Sequence, residues 1–553
     1  MFFQHTKEGE FMRILFRALI VISVIVAMGE IGNAQQPLDC YTLGSKAQGC
    51  TETVDNIVNM TIVSKSDEVL EAEYNAGFIQ GRLQKRTIPA ARDNFWDTAY
   101  LVDPDHTFPA QIPPSIAELA KIQGILMENY AYTLDYIKHK ADPALAVQSK
   151  RLIFRLLGIY HGARFNEPRP VDFSGHWFPG LSTFEPTELV LGYETPTVTF
   201  ADIYFINGFE DAMDVIGFAA DSPRKRADRV SKCTAFVKKS PDEIYITHNT
   251  WSCFLSQTLA MNLFVNGDLL TVNSICPGQL FSGTDFGYNN KGMMFNETTH
   301  HATFSIPKAK ALWMFFRASL AEQFSGSIED FYRYLSLEPS GTNMNGYMVV
   351  DAQSMDFGLI EMSYKTFVFF KSDGKGGYTV ETKPADRSKA YDPKLLAGDY
   401  ILGVNYPVSR QIREDLAAVD TRPARKRQLW NRIGKVNGVK SARALITYTA
   451  PNNPLSIYGR WDLGYGVTSY PKTVPDGSID AKVATASMAR KVTSLKGILS
   501  LDSKRKSFWM KYGTPYVNGL PFIWSFSQWS DQKLRDVPNV VDGHYQYLNL
   551  YLE

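Results

Sequence analysis

Cysteine is scarce in this chain, with five residues in a length of 553. So few cysteines exclude a fold built mainly on disulfides, which small secreted domains use when their cores are too small. Five is also an odd number, so at least one thiol is left over if the others pair within the chain. The identity of that cysteine is a question for the rest of the sequence.

An excess of charge of either sign is also absent. The chain has 58 Lys and Arg against 57 Asp and Glu, a net charge of +1. Without a bulk positive field, we do not expect nucleic acid or another polyanion to be the main partner. Charged residues make up 21% and hydrophobic residues 44%, which excludes a largely disordered chain. The length alone allows three or four domains.

Long hydrophobic runs are missing, apart from a short one near the N-terminus. Residues 18–28 are apolar, follow Arg13 and Arg17, and precede Gly32 and Ala34. This order predicts a signal peptide over residues 1–34, because a membrane span needs about 20 apolar residues. An uncleaved N-terminal anchor is the alternative. We expect a secreted protein or one in a lysosome-like lumen, or in the periplasm if the source is bacterial.

Two further features fit an oxidising compartment. Cys40 and Cys50 lie ten residues apart in a loop-like, Gly-containing stretch, where we expect a disulfide. Asn59 and Asn296 begin Asn-x-Thr patterns and are candidate glycosylation sites. Cys253 and Cys276 either pair with each other or remain buried thiols.

Hydrophobic periodicity predicts the order of elements. Helices are expected over 114–160, 199–219 and 307–335, and a strand running into a helix over 62–82. Small residues on one side of that first helix, including Gly77 and Gly81, predict close packing on a neighbour. A hairpin is expected from 233–237 and 244–248, and further strands at 269–275, 292–298, 346–351, 357–363 and 366–370. Helices therefore come first, followed by a β-rich part, more helices, and mixed strands and loops.

Cys233 differs from the other cysteines because it begins the hairpin just after a polar, basic stretch at 221–229. A cut before Cys233 would place a new α-amine beside its thiol. An α-amine has a pKa of about 7.7–8.0 and can activate the thiol as a base, as in N-terminal nucleophile hydrolases. The alternatives are an inert strand cysteine, and cleavage of the basic loop by another protease.

Several short blocks of sequence occur in the order in which a known family carries them. They are SKCTAFVK at 231–238, HNTW at 248–251, NETT at 296–299, SGTNMNGYMVVD at 340–351, GRWDL at 459–463 and GSIDAKV at 477–483. With the helix around Gly77 and Gly81 they span about residues 70–485. The chain resembles the phospholipase B-like, or lamina-ancestor-like, proteins, which are cysteine N-terminal nucleophile hydrolases.

This resemblance implies an α+β fold with four αββα layers, in which two stacked antiparallel sheets lie between helices. It also implies a precursor that cuts itself between Lys232 and Cys233. Residues 35–232 would form an N-terminal helix-rich chain and residues 233–553 a C-terminal catalytic chain of the same domain. We expect the two chains to stay associated.

The resemblance also assigns roles to residues. Cys233 would be the nucleophile, and Asn345 would donate to the developing oxyanion. The catalytic candidates are completed by His248, which could face Cys233 across the hairpin, and by Arg460. The expected substrate-binding residues are Asn249, Trp251, Glu297, Thr298, Thr299 and Asp462. Alternatively, His248 is a core histidine and Arg460 forms a structural ion pair with Asp462.

One departure from the family concerns the stretch around Asn345. The family has Asn-Asn-Gln-Trp where this chain has Met344, Asn345, Gly346 and Tyr347. The change affects expected substrate contacts more than the oxyanion donor.

The implied function is hydrolysis of fatty-acyl ester bonds of phospholipids through a cysteine thioester. The alternatives are an amidase or acylase of the same class, and a luminal binding protein with a dormant site. Papain-like and Gly-x-Ser-x-Gly motifs are absent. His300 and His301 lack an accompanying metal motif, so we expect no metal and no other cofactor. The expected partner is a small-molecule or lipid acyl substrate, with at most peripheral membrane contact.

Overall fold

The computed structural model describes most of the chain beyond residue 38. The described residues are 39–101, 114–219, 233–420, 423–450, 456–460, 476–493, 506–515, 522–527, 530, 533–539 and 543–549. The predicted signal peptide, the basic stretch at 221–229, Lys232 and Asp462 lie outside them. No helix among the described residues is long and apolar enough to cross a membrane.

The part of the chain before Cys233 begins with strands rather than helices. The strands are β1 (Asp39–Leu43), β2 (Ala47–Val54) and β3 (Ile57–Ser64). Cys40 lies opposite Cys50 in the register of β1 and β2, and the expected disulfide joins them. The loop assignment of this stretch was wrong, because two short strands with turn glycines look like a loop when the pairing partner is unknown.

The predicted helices of this part are present, together with one additional helix. They are α1 (Val69–Leu83), α2 (Thr87–Leu101), α3 (Ile116–His139), α4 (Pro143–Arg164) and α5 (Phe200–Ala219). Of these, α2 was not predicted from the sequence. The helical stretch expected over 114–160 divides at Asp142, whose side chain accepts a hydrogen bond from the Leu145 N–H at 2.9 Å. Pro143 at the first position of α4 fits the same helix start.

The part of the chain after residue 232 alternates between strands and short helices. The predicted hairpin is formed by β4 (Thr234–Lys239) and β5 (Ile244–Asn249). The strands that follow are β6 (Trp251–Cys253), β7 (Leu259–Val265), β8 (Leu269–Ile275), β9 (Phe286–Asn289) and β10 (Met293–Thr299). After α6 (Met314–Phe324) and α7 (Ile328–Leu335) come β11 (Asn345–Asp351), β12 (Asp356–Met362), β13 (Phe367–Ser372), β14 (Tyr378–Lys383), β15 (Leu396–Ala397) and β16 (Tyr400–Gly403).

The remaining elements are α8 (Arg410–Asp415), α9 (Pro423–Ile433), α10 (Val439–Ile446), β17 (Asp476–Ser478), β18 (Asp480–Thr485), α11 (Ala486–Thr493), β19 (Lys506–Tyr512) and β20 (Gln546–Asn549). The single helix expected over 307–335 is instead two helices. Ser327 caps the second one, accepting from the Asp330 N–H at 3.0 Å, and residues 307–313 are not helical.

Most of these strands form two sheets. The larger has the order β1-β2-β3-β7-β8-β9-β10-β11-β12-β13-β14, and the smaller has the order β15-β16-β4-β5-β18-β19-β20. Each pair of neighbours is antiparallel except β3 and β7, which are parallel. The strands β6 and β17 form a separate pair. The expected α+β class with antiparallel sheets is confirmed.

Two hydrophobic cores follow from the alternation of side chains along the strands of the larger sheet. Met261, Leu263 and Val265 pack in the core that also holds the helices before Cys233. Ala260 and Phe264, on the opposite face, pack in the core shared with the smaller sheet and the C-terminal helices. The hairpin of β4 and β5 is therefore buried from both sides.

Both expected glycosylation sites lie inside the fold. Asn59 is 2% exposed and Asn296 is fully buried. The Asn296 amide donates to the Thr247 carbonyl at 2.8 Å, and Asn59 Oδ1 accepts from the Asn262 amide at 3.0 Å. A glycan needs an accessible asparagine, and neither side chain is accessible in the folded chain.

Candidate active site

The hairpin brings Cys233 and His248 to one face of the smaller sheet. Thr234 lies opposite Asn249 and Ala235 lies opposite His248. Cys233, just before β4, is thus a diagonal neighbour of His248 on the same face. His248 was expected to face Cys233 across the hairpin, and the two side chains do lie on the same face, diagonally rather than directly opposite.

Asp285 joins the two side chains and was not anticipated from the sequence. Its Oδ2 atom lies 3.6 Å from Cys233 Sγ and 3.8 Å from His248 Nε2. Asp285 precedes β9 and has a φ of +63°, the left-handed region that few residues other than glycine, asparagine and aspartate adopt. The sequence does show an acidic residue in the Gly283-Thr284-Asp285 turn. Nothing in the sequence indicates that this turn lies next to the hairpin of β4 and β5.

A buried ion pair supports this turn from the neighbouring strand. Lys482 of β18 lies opposite His248, and its Nζ is 2.7 Å from Asp480 Oδ1. Lys482 also donates to Thr250 Oγ1 at 2.7 Å and to the Thr284 carbonyl at 2.6 Å. Because Thr284 is the residue before Asp285, Lys482 fixes the position of the carboxyl that contacts the thiol. The sequence analysis quoted GSIDAKV only as a resemblance and assigned neither residue a role.

Burial controls the protonation of the cluster. It raises the pKa of the Cys233 thiol well above its ordinary value, and the carboxyls of Asp285 and Glu297 raise it further. Burial lowers the pKa of His248 well below its ordinary value, and the Lys482 ammonium adds to this. Burial also raises the pKa of Asp285 to about 7, opposed by Lys482. Near neutral pH the thiol is protonated, the imidazole is neutral and Asp285 changes its charge.

A cavity of about 190 Å³ lies beside the thiol. Helix α5, from the part of the chain before Cys233, supplies one wall, and residues after Cys233 supply much of the rest. Four carboxyl groups and several aromatic rings line it, and the described lining contains no lysine or arginine. The carboxyl groups are those of Glu210, Asp214, Asp285 and Asp476, and the large apolar side chains include those of Phe95, Phe209, Met213, Trp251 and Phe281.

Three of the expected site residues line this cavity, namely Cys233, Trp251 and Thr299. The Trp251 indole N–H donates to the Ile457 carbonyl at 3.1 Å, which holds the ring in place. Thr299 ends β10, where it lies opposite Asn345. Trp251, one of the expected substrate-binding residues, therefore forms part of the cavity wall.

The other expected site residues are buried but lie outside the cavity lining. Asn249 links the hairpin to the C-terminal segments, because its amide donates to the Ile446 and Ile457 carbonyls, both at 2.9 Å. Its Oδ1 accepts from the Thr234 N–H at 3.0 Å. This set also includes His248, Glu297, Thr298, Asn345 and Arg460.

Arg460 lies further along the chain, in a bridge with Gly477. Its guanidinium is 5.2 Å from the centroid of the Phe522 ring. Its expected alternative partner Asp462 is outside the described residues, as is Lys232 on the other side of the expected cut.

The remaining cysteines do not form a second disulfide. Cys253 and Cys276 are free and buried, as is Cys233, so three thiols rather than one are unpaired among the described residues. Burial raises the pKa of both Cys253 and Cys276 to about 12. Both line the same cavity as Cys233. A count of cysteines could not distinguish them from the candidate nucleophile, but the contact with Asp285 does.

Comparison with known proteins gives one family. Residues 186–413 match the model of the phospholipase B family. This segment, less than half of the 553-residue chain, is similar to that family. It contains Cys233, His248, Asp285 and Asn345, and it ends before Arg460 and Lys482. No curated protein matches the chain. The family supports a phospholipase-like function, and with it a hydrolase that acts in lipid metabolism.

Proposed function

We propose that this chain is a phospholipase B-like acyl hydrolase that uses Cys233 as an N-terminal nucleophile. The observation that carries the proposal is the position of Cys233. It lies at the start of a strand, within 3.6 Å of the Asp285 carboxyl and at the wall of a cavity, inside the phospholipase B region. The proposal includes the four-layer αββα fold and export directed by residues 1–34.

The first step is self-cleavage. Cys233 Sγ attacks the carbonyl carbon of Lys232, and the bond from that carbon to the Cys233 nitrogen breaks. The thiol proton passes through the Asp285 carboxylate to the departing nitrogen, which becomes the α-amine. Water then hydrolyses the thioester, which frees the Lys232 carboxylate and restores the thiol. Asp285 suits this proton transfer because its pKa is raised by burial to about 7.

The second step is turnover of an acyl substrate. The α-amine of Cys233 takes the thiol proton while Sγ attacks the ester carbonyl. The alcohol leaves with that proton, and an acyl thioester remains on Cys233. Water, deprotonated by the same amine, hydrolyses the thioester to a fatty acid. Thr299 lines the cavity and lies opposite Asn345 in the register of β10 and β11, and these two residues are the proposed contacts for the acyl carbonyl.

The cavity supports an apolar acyl chain attached to a head group without net negative charge. Aromatic rings suit the chain, whereas Glu210, Asp214 and Asp476 would repel an unpaired phosphate. A zwitterionic choline or ethanolamine head group carries its own cation and fits better. An amide substrate with a cationic amine would meet the same requirement. Separate hydrolysis assays with an ester and with an amide substrate distinguish the two.

The test compares Cys233→Ala with Cys276→Ser, which removes a buried thiol from the same cavity. We expect the parent chain and Cys276→Ser to run as two pieces under denaturing conditions, with Cys233 at the start of the second. The Cys233→Ala variant should remain one chain. The cut proteins should release fatty acid from phosphatidylcholine vesicles, and Cys233→Ala should not. Normal cutting of Cys233→Ala, or cut protein without acyl hydrolysis of esters or amides, would contradict the proposal.

A further inference from the structure

Cys233, His248 and Asp285 form a group with a second chemical capacity. One thiol, one imidazole nitrogen and one carboxylate oxygen lie within 4.8 Å of one another. These are the three ligand types that zinc binds in proteins. They reach the cluster from three different parts of the chain, namely the start of β4, the end of β5 and the turn before β9.

The distances fit a single tetrahedral ion. Zinc bonds are about 2.3 Å to sulfur, about 2.0–2.1 Å to imidazole nitrogen and about 2.0–2.2 Å to carboxylate oxygen. At tetrahedral angles these lengths place sulfur and oxygen about 3.6 Å apart, and nitrogen and oxygen about 3.4 Å apart. The observed separations from Asp285 Oδ2 are 3.6 Å to Cys233 Sγ and 3.8 Å to His248 Nε2. Side-chain shifts of a few tenths of an ångström would complete the geometry.

The state of His248 is an independent indication of a missing partner. The side chain is fully buried, and neither ring nitrogen makes a hydrogen bond of standard geometry with the described residues, although the Glu297 backbone and the Asp285 carboxyl lie close by. A buried polar group normally has a partner, because removing it from water is otherwise costly. A metal bond would satisfy one of the two nitrogens.

The charges around the cluster also permit a cation. The positively charged Lys482 lies opposite His248 in the pairing of β18 with β5, but its ammonium forms an ion pair with Asp480 at 2.7 Å. Cys233 and Asp285 line the cavity, so a water molecule can reach the fourth position of the ion.

We infer that this chain binds one Zn²⁺ through Cys233, His248 and Asp285, with a water from the cavity as fourth ligand. Binding forms a bond from zinc to Sγ, and the thiol proton leaves to water. No oxidation is involved. The combination of thiolate and imidazole favours zinc over magnesium or calcium.

The inference has a consequence that rests on the proposed function. A zinc-bound sulfur is a weaker nucleophile toward the Lys232 carbonyl or an acyl substrate, and zinc would also occupy the Asp285 oxygen that accepts the thiol proton. Zinc is therefore an inhibitor of both the self-cleavage and the hydrolase reaction, and its removal releases the nucleophile.

The binding test uses Co²⁺ as a spectroscopic probe on the full chain as purified, whether cut or uncut. We expect one equivalent of Co²⁺ to produce a thiolate-to-cobalt absorption band, and Zn²⁺ to displace it. The band should be lost in Cys233→Ser, weaken at least 10-fold in affinity in the isosteric Asp285→Asn, and remain in Cys276→Ser. Absence of the band in the parent chain, or its survival in Cys233→Ser, would overturn the inference.

The inhibition test follows the cut in freshly translated chain. One equivalent of Zn²⁺ should slow cutting at least 10-fold, and a chelator should restore it. Cutting at an unchanged rate with zinc bound would overturn the inhibitory role. A cobalt band without any cutting, with or without a chelator, would leave the metal site standing and reject the proposed function. Cutting without a cobalt band would reject the metal site and leave the proposed function standing.

Discussion

At the scale of single residues, the chemistry of the site depends on which of the three groups Cys233, His248 and Asp285 can change charge near neutral pH. Burial keeps the Cys233 thiol protonated and the His248 imidazole neutral. Asp285 is the exception, since its pKa is raised to about 7. Its backbone lies in the left-handed region at a φ of +63°, which aspartate adopts more readily than most residues. Lys482 donates to the carbonyl of the preceding residue, Thr284.

A pH dependence of the cut follows from Asp285. Below pH 7 its carboxyl is protonated and cannot accept the thiol proton, whereas above pH 7 it can. The rate of self-cleavage should therefore rise with pH through about 7 and then level off. Asp285→Asn should remove this rise and slow the cut above pH 7 by about 100-fold or more, the usual range for a general base.

The measurement is the fraction of cut chain against time in freshly translated protein between about pH 5 and pH 9. This range brackets the pKa of Asp285. Glu210→Gln is the matched control, because Glu210 lines the same cavity but does not belong to the thiol cluster. A rate in Asp285→Asn that rises through neutral pH as in the parent chain would assign the base to another group.

At the scale of elements, the closest helix contact is between α1 and α4, and it uses glycines on both sides. A Cβ atom at Gly77 or Gly81 would lie 2.3 or 2.1 Å from backbone oxygens of α4. A Cβ atom at Gly158 or Gly162 would lie 2.2 or 2.0 Å from backbone oxygens of α1. These distances confirm the close packing expected from the small residues of α1. The same distances explain why these four positions between α1 and α4 are glycine, since even a Cβ atom would overlap the backbone of the facing helix.

Gly158→Ala should therefore destabilise the fold. Its methyl group would meet backbone that cannot rotate away, and such overpacking typically costs about 1–3 kcal/mol or more. Gly124→Ala in α3 is the control, because nothing lies within 4 Å of its added Cβ. That variant should be neutral or gain about 0.5–1 kcal/mol from a better helix residue. Urea unfolding followed by circular dichroism measures both, and equal midpoints for the two variants would contradict the packing argument.

At the scale of the whole molecule, the expected cut crosses a shared sheet. The parallel pairing of β3 with β7 joins strands from before and after Cys233. Helix α5 packs in the same core as strands β7 and β10. The disulfide between Cys40 and Cys50 lies wholly within the first part and does not cross the cut.

The two pieces should therefore stay together after cutting without a covalent link. We expect them to elute as one species in size-exclusion chromatography, with or without reductant, and to separate only in denaturant. The double variant Cys40→Ser, Cys50→Ser should behave the same way, since its disulfide does not join the pieces. Separation of the pieces on reduction alone would show that association depends on a disulfide instead of the sheet.

Local patterns in the sequence determined much of the secondary structure of this chain. Patterns within a single segment predicted the helices α3, α4 and α5, the hairpin of β4 and β5, and the strands β8, β10, β11, β12 and β13. The sequence also singled out Cys233 and His248, because the hairpin brings them together over fifteen residues. Strands whose identity depends on a pairing partner elsewhere were missed, as with β1, β2 and β9. The break between α6 and α7 was missed although its cap at Ser327 is local.

Only the tertiary structure decided the rest of the candidate site. Asp285, Lys482 and Asp480 are separated from Cys233 by 52 residues or more, and no local periodicity connects them. Sheet register brought them to one face, and burial then shifted their pKa values. The same register buried Asn59 and Asn296 and left Cys253 and Cys276 unpaired. A sequence records which groups are available, whereas their distances and their exposure to water arise only when strands from remote parts of the chain pair.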